Sequence, residues 1–278
     1  QISAAKEVYT DKLFRPAGSL PTKSITPIFV LGLPRSGSTL VDQILASHSL
    51  VQGTMELPHI LGYVRELGGT GDNGSEEQIS FSTYPNSVLQ LSDEEKQALG
   101  VRYLKETENY HLGSPYFVDK MPNNFLHIGL IAQILPQAIF VDTRRHPVAC
   151  CFSIFKQNFA RGQSFSYDLE VLGNYYQCYL DLMEHWNKVM PGRIHRVIYE
   201  DMVDDTEQQI RDLLEHCGIE FEESCMAFYE NDRVVRTASA QQVRQPIYDT
   251  GKSAWQGFED HLEPLTESLA PVLDSWRS

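Results

Sequence analysis

The stretch Gly32-Leu33-Pro34-Arg35-Ser36-Gly37-Ser38-Thr39 has the residue types and spacing of an anion-binding turn. Gly32 and Gly37 permit a tight turn whose backbone N–H groups converge. The following Leu40-Val41-Asp42-Gln43-Ile44-Leu45 reads as a helix whose N-terminal dipole adds positive potential at the same place. The glycine spacing is that of the nucleotide phosphate loop G-x-x-x-x-G-K-[ST], with Ser38 where the lysine stands. A loop without that lysine is poorly equipped to hold a β,γ-phosphate pair and its Mg²⁺, and Arg35 supplies a cation from inside the turn instead. A second Gly-rich stretch, Gly69 to Gly74, matches G-x-G-x-x-G letter for letter. It follows a helical pattern and leads into polar sequence, so it reads as a loop and not as a dinucleotide-binding turn.

Such a turn needs a strand before it, and Ile28-Phe29-Val30-Leu31, an apolar run bounded by Pro27 and Gly32, has the pattern of a strand buried on both faces. Similar runs stand at residues 116–118, 138–141 and 194–199, and helical patterns at 38–47, 57–67, 93–110, 123–134, 147–159, 167–189 and 205–217. Strands alternating with helices predict an α/β fold: a P-loop-type three-layer sandwich with a central parallel sheet flanked by helices. Residues 1–26 are polar and read as an irregular lead-in segment, with one domain over 27–278. A chain that starts at Gln1 is read as a piece of a longer protein, for which an upstream domain or a homodimer is expected.

The 278 residues carry 23 Lys and Arg against 37 Asp and Glu, a formal charge of −14, which argues against a general grip on nucleic acid or an anionic membrane. Any polyanion must be held by local basic groups. No apolar run approaches the roughly 20 residues of a membrane-spanning helix, so no membrane insertion is expected. Five scattered cysteines, Cys150 and Cys151 adjacent, form no disulfide framework and point to a reducing, cytoplasmic setting. With neither C-x-x-C nor H-E-x-x-H, no metal site is expected.

The core Leu33-Pro34-Arg35-Ser36-Gly37-Ser38-Thr39-Leu40 resembles the 5′-phosphosulfate loop of sulfotransferases that use 3′-phosphoadenosine 5′-phosphosulfate (PAPS). Its P-R-S-G-[ST]-T form is similar to protein-tyrosine sulfotransferases and to bacterial sulfotransferases associated with tetratricopeptide repeats. The resemblance implies that Pro34, Arg35, Ser36, Gly37, Ser38 and Thr39 hold the 5′ end of PAPS, and that an Arg and a Ser eight residues apart hold its 3′-phosphate. Arg145 and Ser153, after the strand at 138–141, match that pair. Tyr199, in the Y-E-D run 199–201, matches a tyrosine near the adenine. The segment from Gln242 to Trp255 resembles the late loop that closes over PAPS, with Gln245 where the family has a lysine and Arg244 or Lys252 as replacement cations.

The same resemblance implies a hydroxyl-bearing acceptor, a small molecule or a peptide, with a phenol or peptide tyrosine suggested by the tyrosine enzymes. Asp119-Lys120-Met121-Pro122 is similar to the family's [DN]-K-x-P turn, whose lysine stands near the bridging oxygen, and Ser253 matches a serine of the reaction centre. Glu56 lies 21 residues beyond Arg35, the tyrosine-enzyme spacing to its glutamate base, which implies in-line displacement with Glu56 as general base and Arg35, Lys120 and Ser253 at the leaving phosphate. Histidines, His59 first among them, are the rival bases. The rival function is a P-loop nucleotide kinase or NTPase, because Ala138-Ile139-Phe140-Val141-Asp142 can pass for a strand ending in a Mg²⁺-binding Asp. A binding module built on the PAPS site is a third reading.

Overall fold

In a computed structural model, residues 1–14, 25–69, 83–159, 163–234, 239–247 and 250–278 are described. Five strands, β1 (Thr26–Gly32), β2 (Val51–Gly53), β3 (Tyr116–Lys120), β4 (Ile139–Arg144) and β5 (Ile194–Ile198), form one parallel sheet in the order β2-β3-β1-β4-β5. The residues of β1 alternate between two cores: Phe29 and Leu31 enter one apolar cluster and Ile28 and Val30 the other. A strand apolar at every position is thereby satisfied on both faces, as a sheet covered by helices on both sides requires.

The helices are α1 (Ile2–Val8), α2 (Ser38–Leu45), α3 (His59–Gly68), α4 (Asp93–Glu106), α5 (Glu108–His111), α6 (Ile128–Ile134), α7 (Pro147–Phe155), α8 (Leu169–Val189), α9 (Tyr199–Asp204), α10 (Thr206–Cys217), α11 (Thr250–Ser253) and α12 (Glu263–Leu269). The larger cluster packs α1, α3, α6, α7, α8 and α12 on one face. The smaller packs α2 and α10 on the other. The three-layer parallel sandwich expected from the alternation of patterns is the observed architecture. Among the described residues, no helix is long and apolar enough to cross a membrane.

Four local expectations differ from the structure. The lead-in is not irregular throughout, since α1 occupies Ile2–Val8 and Ala5, Val8 and the following Tyr9 enter the larger core, with Ile2 packed against it; so short a helix leaves little period to read in a polar stretch. The pattern at 93–110 breaks at Thr107, whose hydroxyl bonds back to the Tyr103 carbonyl (2.8 Å). The pattern at 123–134 opens as a 3₁₀ turn over Pro122–His127 before α6. The strand pattern reaching Tyr199 stops at Ile198, and α9 starts at Tyr199. Of the Gly-rich stretch 69–74 only Gly69 is described, and residues 15–24 of the lead-in lie outside the described residues.

Gly129 on α6 shows how closely α1 is seated, because a Cβ there would stand 2.5 Å from the Tyr9 ring. Gly129→Ala is expected to displace Tyr9 and destabilise the chain by about 1–3 kcal/mol, read as a lowered urea midpoint. An unchanged midpoint would show that α1 is not part of the cooperative core.

Candidate active site

The turn after β1 is built by backbone conformations that its residues were chosen to tolerate. Gly32 and Gly37 have φ of 132° and 107°, and Arg35 itself takes a positive φ of 66°. A Cβ on Gly32 would meet the Thr143 carbonyl oxygen at 2.4 Å, so only glycine lets β1 run this close to the end of β4. Ser36 and Thr143 share a 2.7 Å hydroxyl hydrogen bond. Ser38 and Thr39, both buried, open α2, whose first-turn N–H groups face the turn.

Because β4 lies beside β1, the segment after β4 arrives at the same place. Pro147 starts α7, Arg145 precedes it, and Ser153 lies two turns inside. Arg35 Nε donates to Ser153 Oγ at 3.0 Å, and its other nitrogens donate to Ser239 Oγ and to Gln242 Oε1 (3.2 Å). Arg145 Nη1 donates to the Arg35 carbonyl (3.3 Å) and Nη2 to the Gly251 carbonyl, and its guanidinium lies 5.1 Å from the Tyr199 ring centroid. Tyr199 is packed against two glycines: a Cβ on Gly37 would reach its ring at 3.2 Å and one on Gly251 its hydroxyl at 2.6 Å.

These residues surround a cavity of about 350 Å³. Arg35, Arg145 and Lys156 line it, with no Asp or Glu among its described walls. In a chain of net charge −14, that local excess marks a site for an anion. Leu40, Phe152, Phe228, Val243 and Ile247 provide an apolar wall. Arg145 Nε is buried without a hydrogen-bond partner among the described residues, so the cavity holds a cation with a donor that these residues leave unused. The turn, the orphaned donor and the apolar wall fit a nucleotide with phosphates at two positions.

The second group lies on the other side of β1. Lys120 ends β3, and its register partner on β1 is Val30, two residues before Gly32. Its side chain, 3% exposed, forms an ion pair with Glu56, which is 45% exposed. Glu56 sits on the segment between β2 and α3, fixed from two sides: Thr54 Oγ1 donates to the Val118 carbonyl (2.6 Å), and Arg233 Nη1 donates to the Thr54 carbonyl (2.9 Å). Arg233 also pairs with buried Asp42 on α2 (2.6 Å) and presses on Gly53, where a Cβ would clash at 2.3 Å. Burial pushes the Asp42 carboxyl upward, opposed by the charges of Arg233 and Lys120.

The expected residues therefore divide into groups. Arg35, Gly37, Thr39, Arg145, Ser153 and Tyr199 meet at the cavity, and Glu56 meets Lys120 at the end of β3, on the other side of β1. Pro34 lends its carbonyl to the Cys150 thiol (3.5 Å). Arg244 donates to the carbonyls of Asn231 and Arg233 (3.2 and 2.8 Å), and Lys252 pairs with Asp204; neither lines the cavity. Ser253 is exposed at the end of α11, between Gly251 and Ala254, which line the cavity, and is not itself among the lining residues. Tyr248 and Asp249 lie outside the described residues.

Several histidines are held by contacts within the fold. His48 bonds the Glu220 carbonyl (2.8 Å), His127 bonds Tyr84 (3.1 Å), and His146 stacks on Trp255. His59 stands edge-on to Tyr103 and Tyr110, with burial holding its pKa below the ordinary value. Asp142 is occupied by the Arg144 guanidinium (2.7 Å) and the Tyr179 hydroxyl, which leaves it badly placed to bind Mg²⁺ and removes the feature that suggested a kinase. Sequence reasoning missed Asp42, Arg233, Ser239 and Lys156. Each acquires its role from a partner far along the chain, and no local pattern announces it.

Asp119, beside Lys120, is fully buried and accepts from the Tyr103 hydroxyl at 2.7 Å. Burial pushes its carboxyl from 3.8 up to about 7, against the Tyr103 bond and the Lys120 charge. Between those values the folded chain keeps a proton that the unfolded chain has lost, so stability falls as pH rises from about 4 to about 7 and stays lower above. Asp119→Asn is expected to be more stable than wild type at pH 8, the difference shrinking towards pH 4, in denaturation measured across that range. Parallel pH profiles for the two proteins would contradict this.

The Sulfotransferase family model matches residues 27–223. The chain is 33% identical over 266 residues to an uncharacterized protein of Aquifex aeolicus (strain VF5), covering 95% of this chain and spanning 35% of the length of that relative. Among solved structures, the sulfotransferase domain of the Synechococcus PCC 7002 olefin synthase has a TM-score of 0.58 at 21% identity, covering 92% of this chain and 97% of that one. The sulfotransferase domain from the curacin biosynthetic pathway has a TM-score of 0.56 at 20% identity, covering 91% and 99%. Both share this fold.

Proposed function

The chain belongs to the sulfotransferase family, and from that premise we propose that it transfers the sulfuryl group of PAPS to an acceptor hydroxyl. The observation that carries the reading is the junction of the two anion-binding segments. Arg35 of the turn is bonded to Ser153 of α7, Arg145 is bonded to the turn's backbone, and one cavity with three cations and no carboxylate among its described walls lies between them. When bound, PAPS supplies the sulfuryl group and leaves as 3′,5′-ADP. The N–H groups of residues 35–39 and the α2 dipole hold its 5′ end. Arg145 and Ser153 hold its 3′-phosphate, and Tyr199 with the apolar wall receives the adenine.

Glu56 is the general base of this reading: it takes the hydroxyl proton of the acceptor, a phenol or a peptide tyrosine, as the oxygen attacks in line. Lys120, joined to Glu56 at the end of β3, and Arg35, inside the turn, neutralise charge that builds on the leaving side. Arg233 and Asp42 keep the Glu56 segment against β3 and α2, so that the base is held by the sheet and not by a loop alone. No metal enters the scheme.

Glu56→Gln keeps the shape of the side chain and removes the base, so kcat is expected to fall by about 10²-fold or more while 3′,5′-ADP binding is retained. Near-normal turnover would move the base to His59. Arg145→Ala is expected to raise the KM for PAPS with a smaller effect on kcat, since the 3′-phosphate is remote from the reacting sulfur and its contacts are the same in ground and transition states. A loss confined to kcat would put Arg145 at the reaction centre instead.

A further inference from the structure

Three cations line the cavity, and two of them have work already described: Arg35 is bonded to Ser153, Ser239 and Gln242, and Arg145 to the turn and to Gly251. The ammonium of the third, Lys156, has one interaction among the described residues, lying 4.3 Å from the centroid of the Phe152 ring. It has no carboxylate partner among the described residues, although the chain carries 37 Asp and Glu. A lysine left without an acid in so acidic a protein, on the wall of a cavity without a described acid, is placed for an anion that arrives with a ligand.

Its position on α7 says which anion. Lys156 caps the helix in a helical conformation (φ −70°, ψ −15°), so the register continues through it and sets it one turn beyond Ser153. Residues three apart share a helix face with Cβ atoms about 5–6 Å apart, and both side chains line the same cavity. A phosphate monoester carries a charge of about −1.5 to −2 at neutral pH, more than one guanidinium neutralises. We propose that Lys156 is a third ligand of the 3′-phosphate, beside Arg145 and Ser153, and sets the preference of the site for nucleotides that carry that group. The proposal rests on the PAPS reading above. Lys156 touches no reacting atom in it, so its effect falls on which nucleotide is held.

The test is a calorimetric comparison of 3′,5′-ADP with 5′-AMP, which differ only in the 3′-phosphate, on wild type, Lys156→Met and Lys156→Arg. Lys156→Met keeps the apolar stem against Phe152, and its melting temperature should match wild type. Its affinity for 3′,5′-ADP is expected to fall about tenfold, the scale of one charge-assisted contact. Its affinity for 5′-AMP should stay the same, and Lys156→Arg should keep most of the discrimination. Equal weakening for both nucleotides would assign Lys156 to the 5′-phosphate or the adenosine and overturn the proposal, as would no change for either. Failure of folded wild type to bind 3′,5′-ADP is a separate result: it would overturn the PAPS reading itself, and the Lys156 proposal with it.

Discussion

Where β1 ends, Gly32 passes so close to Thr143 that a Cβ on it would stand 2.4 Å from the Thr143 carbonyl oxygen. That approach follows from the pairing of β1 with β4, which runs in register from Ile28↔Ile139 to Gly32↔Thr143. It brings two connections that are more than 100 residues apart in sequence to one point at the carboxyl edge of the sheet, the location where open α/β sheets bind ligands. Arg35 meets Ser153, and Arg145 meets the Arg35 carbonyl, because the strands before them are neighbours. With β3 on the opposite side of β1, the Lys120–Glu56 pair flanks the same turn from the other direction. Strand order thus places the carboxylate–ammonium pair and the cavity on the two flanks of β1.

Electrostatics adds a second constraint. A chain of net charge −14 repels polyanions at long range, so an anionic ligand is held only where carboxylates have been kept away. The cavity meets that condition among its described walls. On the other flank the acids are present but engaged: Asp42 by Arg233, Glu56 by Lys120. The Arg233–Asp42 pair is nearly buried, and removing one partner of such a pair leaves an uncompensated charge. This is the physical reason the Glu56 segment holds one arrangement.

The sheet was legible because β1, β3 and β4 fall on unbroken apolar runs at 28–31, 116–118 and 138–141, while β5, an edge strand broken by His195 and Arg196, falls where the run at 194–199 stands. The edge strand β2 was not, since three residues, Val51 to Gly53, leave no period to read. Gly32 and Gly37 announced the turn through their spacing, and both take the positive φ it needs. The Arg145–Ser153 pairing came from resemblance, and both side chains line the cavity; Glu56 and Lys120 were carried over separately, one as base and one at the leaving phosphate, and the ion pair between them was not expected. In the late segment, carbonyls of residues 231 and 233 hold Arg244 and Asp204 holds Lys252, partners that no local pattern announces. Lys156 carried no signal in the sequence because its meaning depends on a cavity that exists only once α7 has packed beside the turn.

In the proposed function, the turn and α7 form one site for a nucleotide phosphorylated at both the 5′ and 3′ positions. Calorimetric titration of the folded chain with 3′,5′-ADP in the presence of EDTA, in parallel with ATP and Mg²⁺, tests it most directly. The account expects saturable one-to-one binding of 3′,5′-ADP without metal and at least tenfold weaker binding of ATP with Mg²⁺, about 1.4 kcal/mol in the difference. Binding of ATP with Mg²⁺ in preference to 3′,5′-ADP, or no binding of 3′,5′-ADP, would contradict it.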